Sequence, residues 1–139
     1  MGAACLHDIG MSVDYDDHHK HSRYLVLNAG LPGFTPAEVA VIAQAARYHR
    51  KGTPSPGPMA PLLDDRDAAR LDRLAVLLRL AEDLERSRDQ SVREAHLEPD
   101  GDALRLVLVA DGDAAVPRWA AAREVDVFAR AFDRRLVVA

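Results

Sequence analysis

Wound at 3.6 residues per turn, the segment Leu74-Ala75-Val76-Leu77-Leu78-Arg79-Leu80-Ala81-Glu82-Asp83-Leu84 is apolar almost all the way round. A helix of that kind must be covered on several sides, so the chain has to fold around it as a multi-helix domain. Its pattern runs from about Asp67 to Arg86. A second helix is announced by Thr35-Pro36-Ala37-Glu38, a capping box with Pro36 at the first helical position. Along it Val39, Ile42, Ala46 and His49 share one face, so the apolar stripe ends in an imidazole aimed at the core. A third helix runs through His18 to Asn28 behind Asp16 or Asp17 as cap, with His18, His21, Leu25 and Asn28 on one face. Ala3-Ala4-Cys5-Leu6 reads as the tail of a further helix, without a capping residue ahead of it and with Gly10 as its stop. Residues 52–61 hold four prolines and two glycines and read as an irregular loop, a connector or a cover over a site beside His49.

Beyond Ser91 the period changes from helical to alternating. Val92 to Glu98 and Leu104 to Val109 flank the turn Pro99-Asp100-Gly101-Asp102, which predicts a hairpin. A helix from about Pro117 follows, its core face marked by Ala121, Val125, Phe128 and Phe132, and Leu136-Val137-Val138 makes a last strand. The chain thus divides into a mostly α part, residues 1–90, and a small α+β unit of order β-β-α-β, residues 91–139. In the latter Trp119 is expected to pack on the sheet and His96 to lie at the surface.

At 139 residues and 48% hydrophobic content the chain can bury a core, and a formal net charge of −4 gives no support to general nucleic-acid or anionic-membrane binding. It has no apolar run of about 18 residues and no signal-peptide pattern at its start, which suggests a cytoplasmic setting. The single cysteine, Cys5, excludes an internal disulfide and sits among apolar neighbours, as a small buried hydrophobe would.

The chemistry is concentrated in a few residues. His7 and Asp8 are adjacent, and an imidazole and a carboxylate so placed can meet one or two divalent cations together. The alternative is a helix-end pair bonded to nearby backbone. Asp83 shares a face with Val76 and Leu80, so its carboxylate is expected to be partly buried and to need a cation or an arginine such as Arg79, four residues back. His21 follows His7 after 14 residues, His49 after a further 28, and Asp83 after a further 34. Arg47, Arg50 and Lys51 bracket His49 and, with Lys20, offer positive charge to phosphate oxygens.

That order of residues resembles the HD-domain phosphohydrolases. The stretches LHDIG, HHKHSRYLVLNAGLPGF, ARYHRKGTP and LLRLAEDLERS, followed by a hairpin and a Trp-bearing helix, are similar to the C-terminal half of the exopolyphosphatase and guanosine pentaphosphate phosphohydrolase (Ppx/GppA) family. The resemblance covers nearly the whole chain. It implies an HD-like helical bundle before the small α+β unit, and a metal site of His7, Asp8, His21, His49 and Asp83 for a divalent Mg, Mn, Fe or Zn. Met11 stands where many catalytic HD proteins carry lysine. In the family the exopolyphosphatase chemistry belongs to an N-terminal actin-like region, and the first HD ligand to an earlier helix; neither has a counterpart here. The resemblance therefore implies a module that binds polyphosphate or a phosphorylated nucleotide and joins subunits as a homodimer, alongside a separate phosphatase region and without much activity alone. The alternative it implies is a metal-dependent phosphohydrolase working from the His/Asp site itself. The apolar run Ala3 to Leu6 gives self-association a physical motive, since an uncovered apolar face favours burial.

Overall fold

The capping box at Thr35 shows how local sequence becomes structure: the Thr35 hydroxyl accepts from Glu38 N–H, and the Glu38 carboxylate accepts from Thr35 N–H. Helix α3 (Pro36–Tyr48) starts there, after α1 (Gly2–Leu6) and α2 (His18–Ala29), and is followed by α4 (Asp65–Leu84). Strands β1 (Val92–Asp100) and β2 (Ala103–Ala110), helices α5 (Ala115–Ala122) and α6 (Val125–Phe132) and strand β3 (Arg135–Val138) complete the order. The structure, a computed structural model, describes residues 1–138. It has the expected mostly α architecture with a small α+β tail. No helix among the described residues is long and apolar enough to cross a membrane.

The chain packs as two compact units, Met1–Leu78 and the residues from Arg79 onward. In the first unit Ala3, Val26, Val41, Ile42, Ala43, Ala45, Leu71 and Leu78 form one buried cluster. The small side chains of α3 let neighbouring backbones approach closely, while burying each of Val41 and Ile42 contributes about 1.5–3 kcal/mol. Because α1 packs against α3, Ala3 is buried and Leu6 joins the core, which leaves less apolar surface at the start of the chain than the sequence suggested. Cys5, expected to be buried, is exposed: α1 turns only one side to the core, and Cys5 is on the other.

Two connections depart from expectation. Asp17 precedes α2 with φ 55° and makes no capping bond; its carboxylate pairs with Lys20 Nζ at 2.6 Å instead. The proline-rich segment is not wholly irregular, since Gly57–Leu62 forms a 3-10 helix. Gln44 Nε2 ties the chain just before it to α3 by donating to the carbonyls of Ser55 and Pro56, at 2.7 and 2.9 Å.

In the second unit β1 and β2 pair antiparallel, with Asp100 opposite Ala103 across a two-residue turn in which Gly101 takes φ 62°. Strand β3 adds in parallel beside β2, giving the order β1-β2-β3. The helix predicted from Pro117 is two helices, broken at Arg123-Glu124. Glu124 is buried there and pairs with Arg79 Nε at 2.7 Å. The apolar period of the sequence gives no sign of this pair or of the break. Phe128 is buried and stacks on Phe132, with ring centroids 4.5 Å apart. Trp119 does not pack on the sheet; it is 60% exposed, with Arg123 over its ring. His96 is exposed beside Glu94.

Candidate metal centre

Gly10 sets the site. Its N–H donates to Ser22 Oγ at 2.8 Å, and the same hydroxyl donates to the His7 carbonyl at 2.6 Å, so one side chain of α2 holds both ends of the segment 7–10. The backbone of Gly10 lies so close to His18, His21 and Ser22 that only a residue without Cβ fits. Pinned in this way, Asp8 places Oδ1 at 3.1 Å from His18 Nε2 and 3.3 Å from His49 Nε2, while Oδ2 is 3.5 Å from His7 Nε2. Ligand atoms of His7, Asp8 and His49 all lie within 4.8 Å of one another. His18 Nε2 lies 3.2 Å from His49 Nε2 without being one of that mutually close set.

The three histidines are held alike. Nδ1 of His7 donates to the Ala4 carbonyl at 2.8 Å, that of His18 to Tyr15 at 2.9 Å and that of His49 to Ala46 at 2.6 Å. A carbonyl can only accept, so each Nδ1 carries the proton and each Nε2 is turned to an Asp8 oxygen. For His7 and His49, which follow the last residues of α1 and α3, these bonds also satisfy carbonyls that a helix end leaves open. Burial lowers the His49 pKa, outweighing the Ala46 bond and the attraction of Asp8. At neutral pH its Nε2 is therefore an acceptor, and it faces the Asp8 carboxylate at 3.3 Å. Acceptors this close repel unless a cation, a proton or a metal ion, is shared between them. Second-atom bonding of this kind is how metal-ligating histidines are usually oriented, so the donor set fits a divalent metal.

Of the five metal ligands expected from sequence, His7, Asp8 and His49 come together. His21 is not in the group; one turn beyond His18, its Cβ lies against Gly10, and His18 occupies the place expected of it. Both histidines share a face of α2, and the crossing of the segment 7–10 decides which one meets Asp8. Asp83 lies in the second unit, where its carboxylate pairs with Arg86 at 3.2 Å, while Arg79 goes to Glu124. Burial first, and then Glu124, raise the Asp83 pKa, with Arg86 opposing.

The basic residues gather near the start of α2. The Arg50 guanidinium stands 5.7 Å from the centroid of the Tyr15 ring, which itself tilts against His18 at 5.6 Å. Lys20 pairs with Asp17, and Arg47 lies over the Tyr48 ring at 5.4 Å. His19, which the sequence did not single out, is as buried as His49. Desolvation, followed by the charge of Arg47, pushes its pKa down to about 4, with Lys51 adding to the effect and Asp17 opposing it.

A profile of the family described as Ppx/GppA phosphatase, domain III, matches residues 1–114. The chain belongs to the Ppx/GppA phosphatase family. Similar curated members of Ppx/GppA are called guanosine-5'-triphosphate,3'-diphosphate pyrophosphatase. That of Vibrio vulnificus (strain YJ016) is 38% identical over 106 residues, which cover 76% of this chain and 20% of the relative. That of Vibrio parahaemolyticus serotype O3:K6 (strain RIMD 2210633) is 36% identical over 124 residues, or 88% of this chain and 24% of the relative. In the protein of Pseudoalteromonas translucida (strain TAC 125) a 47-residue stretch is 45% identical, covering 34% of this chain and 10% of the relative. The match with the two Vibrio relatives thus spans about a fifth to a quarter of their length.

Proposed function

We infer that this chain gives a Ppx/GppA-type phosphohydrolase a divalent-cation centre, made by His7, Asp8, His18 and His49, that holds the phosphate chain of polyphosphate or of a phosphorylated nucleotide. The observation that carries this reading is the gathering of ligand atoms of His7, Asp8 and His49 within 4.8 Å of one another, with His18 Nε2 beside Asp8 and each imidazole fixed through Nδ1. Imidazoles with a carboxylate suit Zn, Fe or Mn better than Mg, which prefers oxygen ligands and keeps its waters. When bound, such an ion supplies charge to phosphoryl oxygens and acidifies a coordinated water. The chain's own residues hold the site open to a ligand on one side, since the Asp8 side chain is 42% exposed while His49 is buried. Arg47, Arg50, Lys51 and Lys20 supply further charge for phosphate oxygens. The names of the relatives favour a guanosine nucleotide phosphorylated at both ends as the ligand.

Asp8→Asn tests the centre. The amide can donate where the carboxylate could only accept, so the metal-free variant should be at least as stable as the wild type. It should also lose the response to zinc or manganese, which stabilises the wild type by about 2.7 kcal/mol at 100 times Kd. A wild type that retains no metal after chelator-free purification, and gains no stability from Zn, Mn, Fe or Mg, overturns the reading. The open side at Asp8 also favours a second reading, hydrolysis of phosphoanhydrides at the same centre. Its check is metal-dependent phosphate release from tripolyphosphate by the wild type and none by Asp8→Asn.

A further inference from the structure

Tyr15 touches His18 twice. Its carbonyl accepts from His18 Nδ1 at 2.9 Å, which leaves His18 Nε2 turned to Asp8 Oδ1 at 3.1 Å, and its ring tilts against the His18 ring with centroids 5.6 Å apart. The same ring carries the Arg50 guanidinium, 5.7 Å from its centroid, and Arg50 is the residue after His49. Chain and ring together thus place one cation beside both His18 and His49. Two other basic residues of this region are drawn elsewhere, Lys20 to Asp17 at 2.6 Å and Arg47 to the Tyr48 ring at 5.4 Å. Arg50 is exposed and pairs with no carboxylate among the described residues. An aromatic face attracts a guanidinium without neutralising it. A carboxylate in the ring's place would hold the arginine and cancel its charge, so the tyrosine keeps Arg50 both in place and available to an anion.

We propose that Tyr15 is a positioning residue for Arg50, holding its guanidinium beside the metal centre for the non-bridging oxygens of a phosphate chain. This rests on the reading that the centre takes such a chain, and it singles out Arg50 among the basic residues as the one set to meet it. The planar guanidinium can bond two oxygens of one phosphate group. Held in advance by the ring, it loses less rotamer freedom when it does so, and the saving appears as affinity.

The test titrates the full chain, zinc-treated and metal-free, with inorganic tripolyphosphate in a calorimeter. Arg50→Ala should weaken binding by about tenfold or more, the loss of hydrogen bonds to charged oxygens. Tyr15→Leu should weaken it by about two- to tenfold, the cost of ordering one long side chain, while Tyr15→Phe, which keeps the aromatic face, should bind like the wild type. In the Arg50→Ala background Tyr15→Leu should have no further effect, whereas a tyrosine with a merely structural role would weaken both backgrounds alike. Additive effects of the two changes, or a Tyr15→Leu protein that binds like the wild type, overturn the proposal. Tyr15 is 56% exposed, so its replacement should leave the fold intact; if Tyr15→Leu nevertheless does not fold, Tyr15→Gln takes its place in the same cycle. Zinc titration reads the centre separately. Zinc and tripolyphosphate binding without coupling between Tyr15 and Arg50 removes the positioning role and leaves the centre, and coupling without zinc binding does the reverse. No tripolyphosphate binding in either form overturns the role and the phosphate reading together.

Discussion

Gly10→Ala probes how the centre is assembled. A Cβ at Gly10 would lie 2.1 Å from the His18 carbonyl oxygen, 2.4 Å from Ser22 N and 2.8 Å from His21 Cβ. Ordinary contacts run at about 3.5–4.0 Å, and two of these three atoms are backbone, so no rotamer change relieves the overlap. The segment 7–10 must move off α2 by more than about 1 Å. That breaks the bonds from Gly10 N–H to Ser22 Oγ and from Ser22 Oγ to the His7 carbonyl. Two hydrogen bonds at about 0.5–1.5 kcal/mol each and an overpacking cost of about 1–3 kcal/mol give a destabilisation of about 2–6 kcal/mol. His7 and Asp8 are displaced together, and zinc affinity should fall by about 10–100-fold, as it does when the support of metal ligands is removed. Urea unfolding and zinc calorimetry read the two effects. Ser22→Ala removes the same hydrogen bonds without the clash and should cost about 1–3 kcal/mol. A Gly10→Ala protein with the wild-type urea midpoint and zinc affinity would refute the reasoning.

Two further outcomes concern the second unit. Because Asp83 binds its proton more tightly in the folded protein, its favourable contribution is full below the unfolded value of 3.8 and is lost as pH rises through the raised folded value. Asp83→Asn should therefore unfold at higher urea than the wild type at pH 7, with the advantage fading below about pH 4; a lower midpoint at pH 7 would count against this. Arg79 and Glu124, whose side chains are 11% and 10% exposed, form a buried pair. Arg79→Met alone should cost about 3–5 kcal/mol in urea unfolding, and Arg79→Met with Glu124→Leu much less, since the double change leaves no unpaired charge. A near-neutral single variant would show that the pair is not desolvated.

The elements whose signals are local were legible. The capping box at Thr35 fixed the start of α3, and alternation around Pro99 to Asp102 found the hairpin. The α5–α6 break was not legible, because the apolar period runs on through Arg123-Glu124 and gives no sign of the Arg79–Glu124 pair formed there, 45 positions apart. Trp119 was misplaced for a related reason, since a bulky apolar residue is assigned to the core by default and only the fold shows which helix face is left uncovered. At the candidate site, adjacency identified His7-Asp8 and periodicity placed His49 inward. Periodicity also put His18 and His21 on one face without choosing between them. Nothing in the pattern marked His19.

By itself the sequence determined where α3, α4 and the hairpin lie, the inward aim of His49, and membership of Ppx/GppA, because these depend on residue order over short spans. Tertiary structure decided that His18 joins Asp8, that His21 meets the backbone of Gly10, and that His19 is buried with no hydrogen-bond partner among the described residues. Those outcomes depend on where the segment 7–10 crosses α2, and Gly10 and Ser22 fix that crossing through contacts between residues 12 apart. Periodicity states which side of a helix is covered. Only packing states by what.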